Sequence, residues 1–417
     1  MAQLNTFFEQ FLQKSSVFAD KKALQSAYVP DNIMHRDVQI NQLAHILAPC
    51  LRMEKPSNVF LYGKSGTGKT LSVRYTTDQI LHLAHKENIP VRIIYLNCKL
   101  KKVADTEYRL IAELARAFGK AIPPTGLPTD EVYKIFFRAL DQERQVVLFV
   151  LDEIDQLVKH AGDETLYNLT RVNAELKNAQ VSIVGISNDV GFSDQLDPRV
   201  KSSLSEEELV FPAYNAIEIQ DILRRRAQIS FKPNAIEDGV IAKCAAYAAR
   251  EHGDARRALE LLRVAGEIAD RKNKNVVTLQ DLDDAEEKIE RDRFLDVVIT
   301  QPKQYQAILF AAFVLWEERK DSVLTGELYG VYKRLCGRLS LRPLTQRRVS
   351  DIIAELDMLG ILTAKVTSKG RYGRTREIVL SLPSSLEGKI KSALEEELKL
   401  TTAESKEHLQ QESPVQP

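Results

Sequence analysis

Residues 59–70 read VFLYGKSGTGKT: a short apolar run leads into a glycine-rich turn that ends in Lys-Thr. The turn fits the pattern G-x-x-x-x-G-K-[ST], and residues 71–82 after it have helical periodicity. Glycines let such a turn wrap tightly, so that backbone N–H groups and the positive end of the helix dipole point at phosphate oxygens. The stretch therefore predicts a strand, a phosphate-binding loop and a helix. A glycine-rich turn without a ligand is the weaker alternative.

Lys69 and Thr70 give this loop its predicted chemistry. The Lys69 ammonium would reach the β- and γ-phosphates of ATP or ADP, and the Thr70 hydroxyl would bind Mg²⁺. The predicted nucleotide contacts comprise the whole loop and the first residue beyond it: Gly63, Lys64, Ser65, Gly66, Thr67, Gly68, Lys69, Thr70 and Leu71.

Three further apolar runs resemble the first one, at residues 91–96, 146–151 and 181–186. Helical-period sequence separates them, as at residues 106–118. Strands that alternate with helices imply a parallel sheet covered on both faces. We therefore expect an α/β domain whose sheet ends near Ser205.

Polar side chains follow two of these runs. The third run leads into Asp152-Glu153-Ile154-Asp155, and a carboxylate there can hold Mg²⁺ through water, which is the role predicted for Asp152. Glu153 is predicted to polarise the attacking water as a general base, and Asp155 to cap the next helix. Asn188, after the fourth run, is predicted to orient that water or to sense the γ-phosphate. An acidic strand end that only caps a helix is the alternative for the carboxylates.

Three arginines are candidates for contact with the nucleotide. Arg256 and Arg257 follow Gly253-Asp254, a helix-start signal with Asp254 as the N-cap. The positive end of the helix dipole repels cations in a first helical turn, and a nearby phosphate would offset that repulsion. Arg256 is therefore predicted to contact the nucleotide from a helical lid, with Arg257 as the second choice and a solvated arginine as the alternative. Arg199 could offer its charge to a neighbour's γ-phosphate or be an ordinary loop residue.

Periodicity divides the rest of the chain. Residues 216–289 are helical in pattern without strand-like runs, and three helical segments followed by two alternating runs after Pro302 predict a winged helix. The predicted domains are an α/β nucleotide-binding domain at 1–208 with an arm at 1–27, an all-α lid at 209–295, a winged helix at 296–395 and a disordered tail at 396–417.

Composition excludes several classes of protein. The 417 residues include four scattered cysteines without a CxxC pair, which argues against a zinc ribbon and a disulfide framework. No stretch approaches the roughly 20 apolar residues of a membrane span. We expect a cytoplasmic protein without a membrane partner.

The predicted winged helix carries the clearest charge pattern. Between Lys333 and Arg376 eleven residues are basic and three are acidic, in a chain whose net charge is zero. Such an excess is a footprint for the phosphates of double-stranded DNA, read by the N-terminal end of the third helix and by the hairpin turn. The predicted DNA contacts are Gln346, Arg347, Arg348, Lys369, Gly370, Arg371, Tyr372 and Arg374. A charged face on a winged helix that binds protein is the alternative.

Several further stretches make the chain resemble the archaeal origin-recognition and cell-division-control initiator family of AAA+ ATPases. They are YVP at 28–30, HR at 35–36, YLNC at 95–98, LDPRVKSSL at 196–204, GDAR at 253–256 and LTQRRVS at 344–350. The resemblance covers residues 28–382, with one departure: Ile33-Met34 stand where such proteins often have Leu-Pro before His-Arg.

The resemblance adds roles to residues that their spacing alone does not assign. It implies that Asn188 and Arg256 are the two sensors, that Arg199 is the arginine finger and that the loop at 122–128 touches the DNA backbone. It also implies that Val29, Pro30, His35 and Arg36 lie around the adenine. Tyr214 and Arg226 complete the expected nucleotide-binding set.

The predicted function is that of an ATP-dependent replication initiator. The resemblance implies binding of origin DNA, assembly with other initiator copies or paralogues, recruitment of the replicative helicase and a nucleoid-associated location. Hydrolysis is expected to be slow, because a switch needs dwell time and the resemblance implies that a neighbour's arginine completes the site. An ATP-gated transcription regulator is the alternative, and a remodelling or clamp-loading machine fits the basic winged helix less well.

Overall fold

The computed structural model describes residues 16–25, 28–30, 32–99, 106–123, 125–204, 206–319, 321–368, 374–382 and 384–400. The chain divides into two compact units, Met1–Ala285 and Glu286–Pro417. Among the described residues, no helix has the length and apolar character that crossing a membrane requires.

A five-stranded parallel sheet forms the centre of the first unit, in the order β2-β3-β4-β1-β5. The strands are β1 Asn58–Tyr62, β2 Val91–Asn97, β3 Val146–Asp152, β4 Gln180–Ser187 and β5 Glu206–Val210. The α-helices around it are α1 Asp37–Leu47, α2 Lys69–Lys86, α3 Glu107–Ala117, α4 Thr129–Leu140, α5 Ile154–Ala161, α6 Glu164–Glu175, α7 Phe192–Gln195 and α8 Pro198–Leu204.

Alternate residues of the central strands pack on opposite faces of this sheet. In β1, Val59 and Leu61 belong to the core under α1 and α2, whereas Phe60 and Tyr62 belong to the core under α3 to α6. Every residue of β1 and β3 is buried. Both faces are therefore covered, as the apolar runs predict.

The sheet has a fifth strand that the sequence pattern does not predict. Strand β5 pairs in parallel with β1, so the sheet continues past Ser205, where we expected it to end. The strand begins with three glutamates and lies at the sheet edge, and Leu209 is buried while Val210 is exposed. An acidic edge strand lacks the apolar run of a central strand, which explains the difference.

A helical lid follows the sheet, as predicted. Its helices are α9 Ala216–Ser230, α10 Val240–Arg250, α11 Ala255–Arg271 and α12 Leu279–Ile299, the last of which extends past the end of the first unit. Asn215 begins α9 with a capping box completed by Glu218, and Asp254 caps α11. These caps fix where the two helices that face the loop of residues 63–70 begin.

The second unit has the elements of a winged helix. They are α13 Lys303–Arg319, β6 Val323–Leu324, α14 Thr325–Arg338, α15 Gln346–Met358, β7 Leu362–Ser368, β8 Arg374–Leu380 and α16 Ser384–Leu398. The sheet has the antiparallel order β6-β8-β7. The predicted α/β domain with lid and winged helix is confirmed as a fold class.

Two features of this unit differ from the sequence pattern. Strand β8 begins at Arg374, four residues before the apolar alternation becomes visible in the sequence at Ile378, because its first residues are mostly charged. Helix α16 lies within the predicted domain but has no predicted counterpart. Its buried residues, Leu386, Ile390, Leu394 and Leu398, recur every fourth position and pack into the core of this unit.

Candidate functional site

The glycine-rich loop connects β1 to α2 and folds as a left-handed turn. Gly66 and Gly68 have φ angles of +74° and +92°, which residues with a side chain rarely adopt. A Cβ on Gly66 would lie 1.7 Å from the Asp254 carboxylate, and a Cβ on Gly68 would lie 2.8 Å from the Tyr214 hydroxyl. The two glycines therefore allow the lid and the segment after β5 to approach the loop closely.

Lys69 is buried at the start of α2, with 4% of its surface exposed. Its Nζ donates to the carbonyls of Gly63 and Lys64 at 2.6 and 2.7 Å and to Asn188 Oδ1 at 3.0 Å. Burial, and secondly the positive charge of Arg256, lowers the pKa of Lys69 to about 8. An anion bound to this ammonium would offset both the cost of burying its charge and the repulsion by Arg256.

Thr70 and Asp152 meet at the carboxyl end of β3. The Thr70 hydroxyl donates to both Asp152 carboxylate oxygens, at 3.3 and 3.1 Å, and the Tyr95 hydroxyl donates to the same carboxylate. Burial, followed by the charge of Asp152, raises the pKa of Tyr95. A hydroxyl beside a carboxylate is an oxygen donor set that suits Mg²⁺, so the residues present fit the predicted metal.

Glu153 follows Asp152 in a left-handed conformation with φ +56°. Its carboxylate lies 3.6 Å from Lys99 Nζ. Strained backbone of this kind costs free energy and persists where surrounding structure fixes it, which is common at functional sites. The turn separates the directions of the Asp152 and Glu153 side chains, which the predicted division of roles requires.

The prediction that Asp155 caps the helix after β3 is wrong. Glu153 has the N-cap position of α5, and Asp155 is buried within the first turn of that helix. Its carboxylate instead accepts from Ser187 Oγ and the Asn188 backbone N–H, both at 3.4 Å. Because these residues end β4, Asp155 connects the ends of two strands and positions Asn188 beside Lys69.

The lid contacts the loop through the N-terminus of α11. Asp254 accepts from the Arg256 and Arg257 backbone N–H groups as the predicted cap, and its carboxylate rests on Gly66. The Arg256 guanidinium donates to the Ser65 hydroxyl and lines the cleft beside the loop. Arg257 instead pairs with Glu251 at 3.1 Å. Arg256 is therefore the arginine that the lid brings to the loop.

Arg36 lies behind the loop and is almost fully buried. Its Nε donates to the Thr67 carbonyl and its Nη2 to the Pro212 carbonyl, at 2.8 and 2.7 Å. The guanidinium also stacks 3.7 Å from the centre of the Tyr214 ring. These contacts make Arg36 and Tyr214 a support for the loop, and of the two only Tyr214 lines the cleft.

A cleft of about 410 Å³ opens beside the loop, in the size range of small-molecule sites. Val29 and Pro30 line its far end, where Arg226 lies 4.4 Å above the Tyr28 ring and donates to the Ala23 carbonyl. His35 does not line the cleft and lies 3.3 Å from Asp221. Sequence reasoning missed five lining residues from the lid, whose signal is the helical periodicity of α9 and α11: Ile222, Arg225, Ile229, Ala255 and Leu259.

Arg199 lies outside this cleft. Its side chain is 84% exposed and makes two bonds of 3.1 Å to the Asp197 carboxylate. It borders a shallow surface depression together with Tyr167 and Arg171. Arg199 is therefore not among the residues that line the cleft, and its exposed guanidinium is open to a neighbouring molecule.

In the winged helix, the structure describes part of the predicted DNA-contacting set. Thr345 caps α15 as predicted, and Gln346 and Arg347 are exposed in its first turn. Arg348 is paired with Glu355. The predicted contacts Lys369, Gly370, Arg371 and Tyr372 lie outside the described residues, as does the side chain of Arg374.

The proline-containing loop at 122–128 joins α3 to α4. The Tyr108 hydroxyl donates to the Pro123 carbonyl at 2.7 Å and holds one side of the loop to α3. Pro124 lies outside the described residues. The loop carries no arginine or lysine of its own.

Family models match three parts of the chain, in the same order as the sheet, the lid and the winged helix. Residues 52–189 match an AAA domain, residues 220–287 a Cdc6 AAA+ ATPase-type lid domain, and residues 296–386 the Cdc6 C-terminal winged helix domain. Together they cover strands β1 to β4 with the glycine-rich loop, most of the lid and the winged helix.

Relatives and solved structures agree with these models. The chain is 52% identical over 383 residues to the ORC1-type DNA replication protein of Pyrococcus horikoshii, covering 91% of each chain. It is 48% identical over 393 residues to ORC1-type DNA replication protein 1 of Archaeoglobus fulgidus, covering 94% of each.

Among solved structures, the Aeropyrum pernix ORC1 protein in complex with DNA is 45% identical, with a TM-score of 0.80, and the match covers 92% of this chain and 98% of that one. Cdc6p from Pyrobaculum aerophilum, at 21% identity and a TM-score of 0.57, shares the fold; that match covers 92% of this chain and 100% of that chain. The chain therefore belongs to the ORC1-type DNA replication proteins, replication initiators of the AAA+ ATPase class that combine a nucleotide-binding sheet, a Cdc6-type lid and a winged helix.

Proposed function

We propose that this chain is an ATP-dependent initiator, which binds ATP with Mg²⁺ in its cleft and holds duplex origin DNA through its winged helix. The observation that carries the proposal is the convergence of Lys69, the Thr70–Asp152 pair and Arg256 beside one cleft. A glycine loop at a helix N-terminus with a buried lysine and an adjacent hydroxyl–carboxylate pair is an arrangement that binds a nucleoside triphosphate.

The charged residues of the cleft would act on the phosphates in turn. Lys69 would exchange its contacts with the Gly63 and Lys64 carbonyls for phosphate oxygens, and Thr70 and Asp152 would hold Mg²⁺, which neutralises phosphate charge when bound. Asn188, next to Lys69 Nζ, would sense the γ-phosphate. Arg256 would follow the phosphates from the lid, so that the nucleotide state sets the lid position.

Hydrolysis by a single molecule would be slow for two reasons that the contacts suggest. The proposed base Glu153 lies beside Lys99 Nζ, and this contact competes with an attacking water for the carboxylate. Arg199 is held by Asp197 away from the cleft of its own chain. A neighbouring copy or paralogue that offers its Arg199 would complete the site, as arginine fingers do in related phosphoryl-transfer enzymes.

DNA binding rests on the charge and shape of the second unit. Helix α15 presents Gln346 and Arg347 at its exposed N-terminal end, which is where a recognition helix meets the major groove. The relative from Aeropyrum pernix was solved with DNA. We include the wing residues 369–374 and the loop at 122–128 as further contacts with the backbone, and assign the protein to the nucleoid.

The initiator is favoured over an ATP-gated transcription regulator by the names of the relatives from Pyrococcus horikoshii and Archaeoglobus fulgidus, which are both ORC1-type DNA replication proteins. Recruitment of the replicative helicase belongs to the same proposal. Occupancy of the protein along the chromosome separates the two functions: an initiator would collect at replication start sites, and a regulator at scattered promoters.

The decisive experiment compares Lys69→Ala with Glu153→Gln. Lys69→Ala should lower ATP affinity by at least about 100-fold, because one charge-assisted contact to phosphate of roughly 3 kcal/mol is lost. Glu153→Gln should bind ATP normally and lose turnover. Binding is measured with a fluorescent ATP analogue and turnover by phosphate release.

The control is the affinity of both variants for a duplex, measured without nucleotide. Both should bind DNA as the unaltered chain does, because Lys69 and Glu153 lie in the first unit and the winged helix in the second. Loss of DNA binding together with ATP binding would contradict the assignment of the two functions to different units.

A further inference from the structure

One flank of α15 carries an ion pair between Glu355 and Arg348, which is one of two adjacent arginines in this helix. Arg348 Nη1 lies 3.3 Å from Glu355 Oε1, and Arg348 Nη2 donates to the Tyr305 hydroxyl at 3.3 Å. The Tyr305 hydroxyl in turn donates to the other Glu355 carboxylate oxygen, so the three side chains form a closed network. Tyr305 belongs to α13, and the network therefore fixes Arg348 against a second helix.

The geometry of α15 gives its two arginines different positions. Val349, Ile352 and Leu356 form the buried stripe of the helix. At 3.6 residues a turn, Arg347 lies roughly opposite that stripe and faces outward. Arg348 and Glu355 are seven residues apart, about two turns, so they share the flank that faces α13. Arg347 has no hydrogen bond or ion pair among the described residues.

This difference matters because sequence-independent binding to DNA depends on the number of cations that are free to contact phosphates. A cation that is already paired with a carboxylate must give up that partner before it gains a phosphate. It therefore adds less to the affinity for any duplex than an unpaired cation does. Glu355 and Tyr305 lower the contribution of Arg348 in this way without removing its charge from the helix.

We propose that Glu355 and Tyr305 are specificity-determining residues, which restrain Arg348 and so weaken binding to duplexes of arbitrary sequence. The inference rests on the proposed DNA-binding function and deepens it. Base-edge contacts from the exposed N-terminal end of α15 then account for a larger share of the total affinity. Arg348 is released to the backbone only where the duplex is held closely enough to compete with Glu355.

The strength of the restraint is set by its exposure. The Arg348 and Glu355 side chains are 49% and 39% exposed, so solvent and salt screen the pair. Exposed ion pairs of this kind change an equilibrium by about two- to fivefold. The restraint therefore adjusts the balance between specific and non-specific binding and is weak enough for a phosphate to overcome it.

The test compares Glu355→Gln with Asp351→Asn in the full-length chain. Each variant removes one negative charge from α15, but among the described residues Asp351 has no ion pair. The probe is a fluorescein-labelled 30-base-pair duplex of mixed sequence, and anisotropy gives the affinity over a salt series. Glu355→Gln should raise affinity about two- to fivefold and steepen the salt dependence by about one unit of slope.

The effect of Glu355→Gln should require Arg348. In an Arg348→Ala background the gain should disappear, whereas any change caused by Asp351→Asn should be the same with or without Arg348. Tyr305→Phe, which keeps the ring and removes the hydroxyl, should give a smaller gain of the same sign. Thermal unfolding of each variant reports whether the fold is preserved.

A second probe gives the readout that a merely structural role would not change. A duplex enriched from a random library by the unaltered protein should gain less from Glu355→Gln than the mixed-sequence duplex, so the ratio of the two affinities falls. If Glu355→Gln instead weakens the selected duplex alone, Glu355 supports Arg348 for base contact and the inference is overturned. If the salt slope and both affinities are unchanged, it is overturned too. If the unaltered protein binds neither duplex, the proposed function itself fails.

Discussion

The nucleotide cleft and the winged helix both present positive charge, but they hold it in different ways. Lys69 in the cleft and Arg36 behind the loop are 4% and 2% exposed, and both donate to backbone carbonyls. In the winged helix, Arg347 is exposed and Arg348 is half-exposed beside a single carboxylate. The cleft therefore depends on a fixed backbone geometry, whereas the winged helix depends on how many cations it presents.

This difference predicts unequal tolerance to substitution. A buried cation that loses its place leaves polar groups without partners, at a cost of about 1–3 kcal/mol for each group. An exposed cation changes affinity by about one phosphate contact, and its loss leaves the fold intact. Substitutions in the cleft should therefore have large effects, and substitutions in the winged helix small ones.

After Lys69→Ala, the largest effect is expected for Gly66→Ala. The new Cβ would meet the Asp254 carboxylate at 1.7 Å in a backbone conformation of φ +74°, so the carboxylate that caps α11 must move away from the loop. Because this cap starts the helix that carries Arg256, the shift disturbs a proposed phosphate contact as well as adding strain of about 1–2 kcal/mol. We expect ATP affinity to fall by at least about tenfold, measured with a fluorescent ATP analogue.

Gly330→Ala in α14 is the matched control from the winged helix. A Cβ there meets no atom within 4 Å, and alanine favours a helix over glycine by about 0.5–1 kcal/mol. It should leave DNA affinity unchanged and raise the melting temperature slightly. If Gly66→Ala were as well tolerated as Gly330→Ala, the close approach of lid and loop would not matter for nucleotide binding.

A smaller effect is expected for Asp281→Asn in the lid. The Asp281 carboxylate is fully buried and accepts from Lys274 Nζ at 2.8 Å and from the Thr278 hydroxyl at 2.7 Å. Burial alone would raise the pKa of Asp281, but these donors outweigh it and lower that pKa to about 2. The substitution should lower the stability of the lid by about 2 kcal/mol, seen as faster hydrogen exchange in α11 and α12.

The pH dependence of Asp281 has a definite sign. Because the folded pKa lies below the unfolded value of 3.8, the stabilisation is fully present above about pH 4 and is lost as the pH falls towards 2. Asp281→Asn should remove that part of the acid sensitivity of the lid. Glu397→Gln, which breaks the exposed pair with Lys303 in the winged-helix unit, should change stability by less than about 0.5 kcal/mol.

The same contrast explains how far the sequence could predict the site. The loop at 63–70, Asp152 and the Asp254 cap are predicted because backbone geometry restricts which residues can occupy those positions. The role of Asp155 is not, because an acidic residue near a helix start is equally compatible with capping, and its partners Ser187 and Asn188 are more than 30 residues away. Strand β5 is missed because edge strands tolerate charge.

In the winged helix the limit is different. The charge count from Lys333 to Arg376 predicts a nucleic-acid surface, but it treats Arg347 and Arg348 as equivalent neighbours. Their difference arises from Tyr305, some 40 residues earlier, which meets Arg348 only when α13 and α15 pack together. Periodicity gives the face of each helix and does not give the partner across it.

The smallest effects separate these two arginines. Arg347→Ala should reduce the salt dependence of duplex binding by about one unit of slope, because an unpaired cation on the outward face is lost. Arg348→Ala should reduce it by clearly less, since Glu355 already neutralises part of that charge. Affinities for a 30-base-pair duplex between 50 and 200 mM salt, on the order of physiological ionic strength, give both slopes.

Equal slopes for Arg347→Ala and Arg348→Ala would mean that the pair with Glu355 opens at no cost when DNA binds. Each cation of the winged helix would then contribute to DNA binding independently of its neighbours, whereas the cations of the cleft are fixed by internal contacts. A smaller loss for Arg348→Ala would mean instead that the winged helix also fixes part of its charge through internal contacts, as the cleft does for Lys69. The ratio of the two changes in slope thus measures how far internal contacts restrain the cations of the winged helix, as they restrain Lys69 in the cleft.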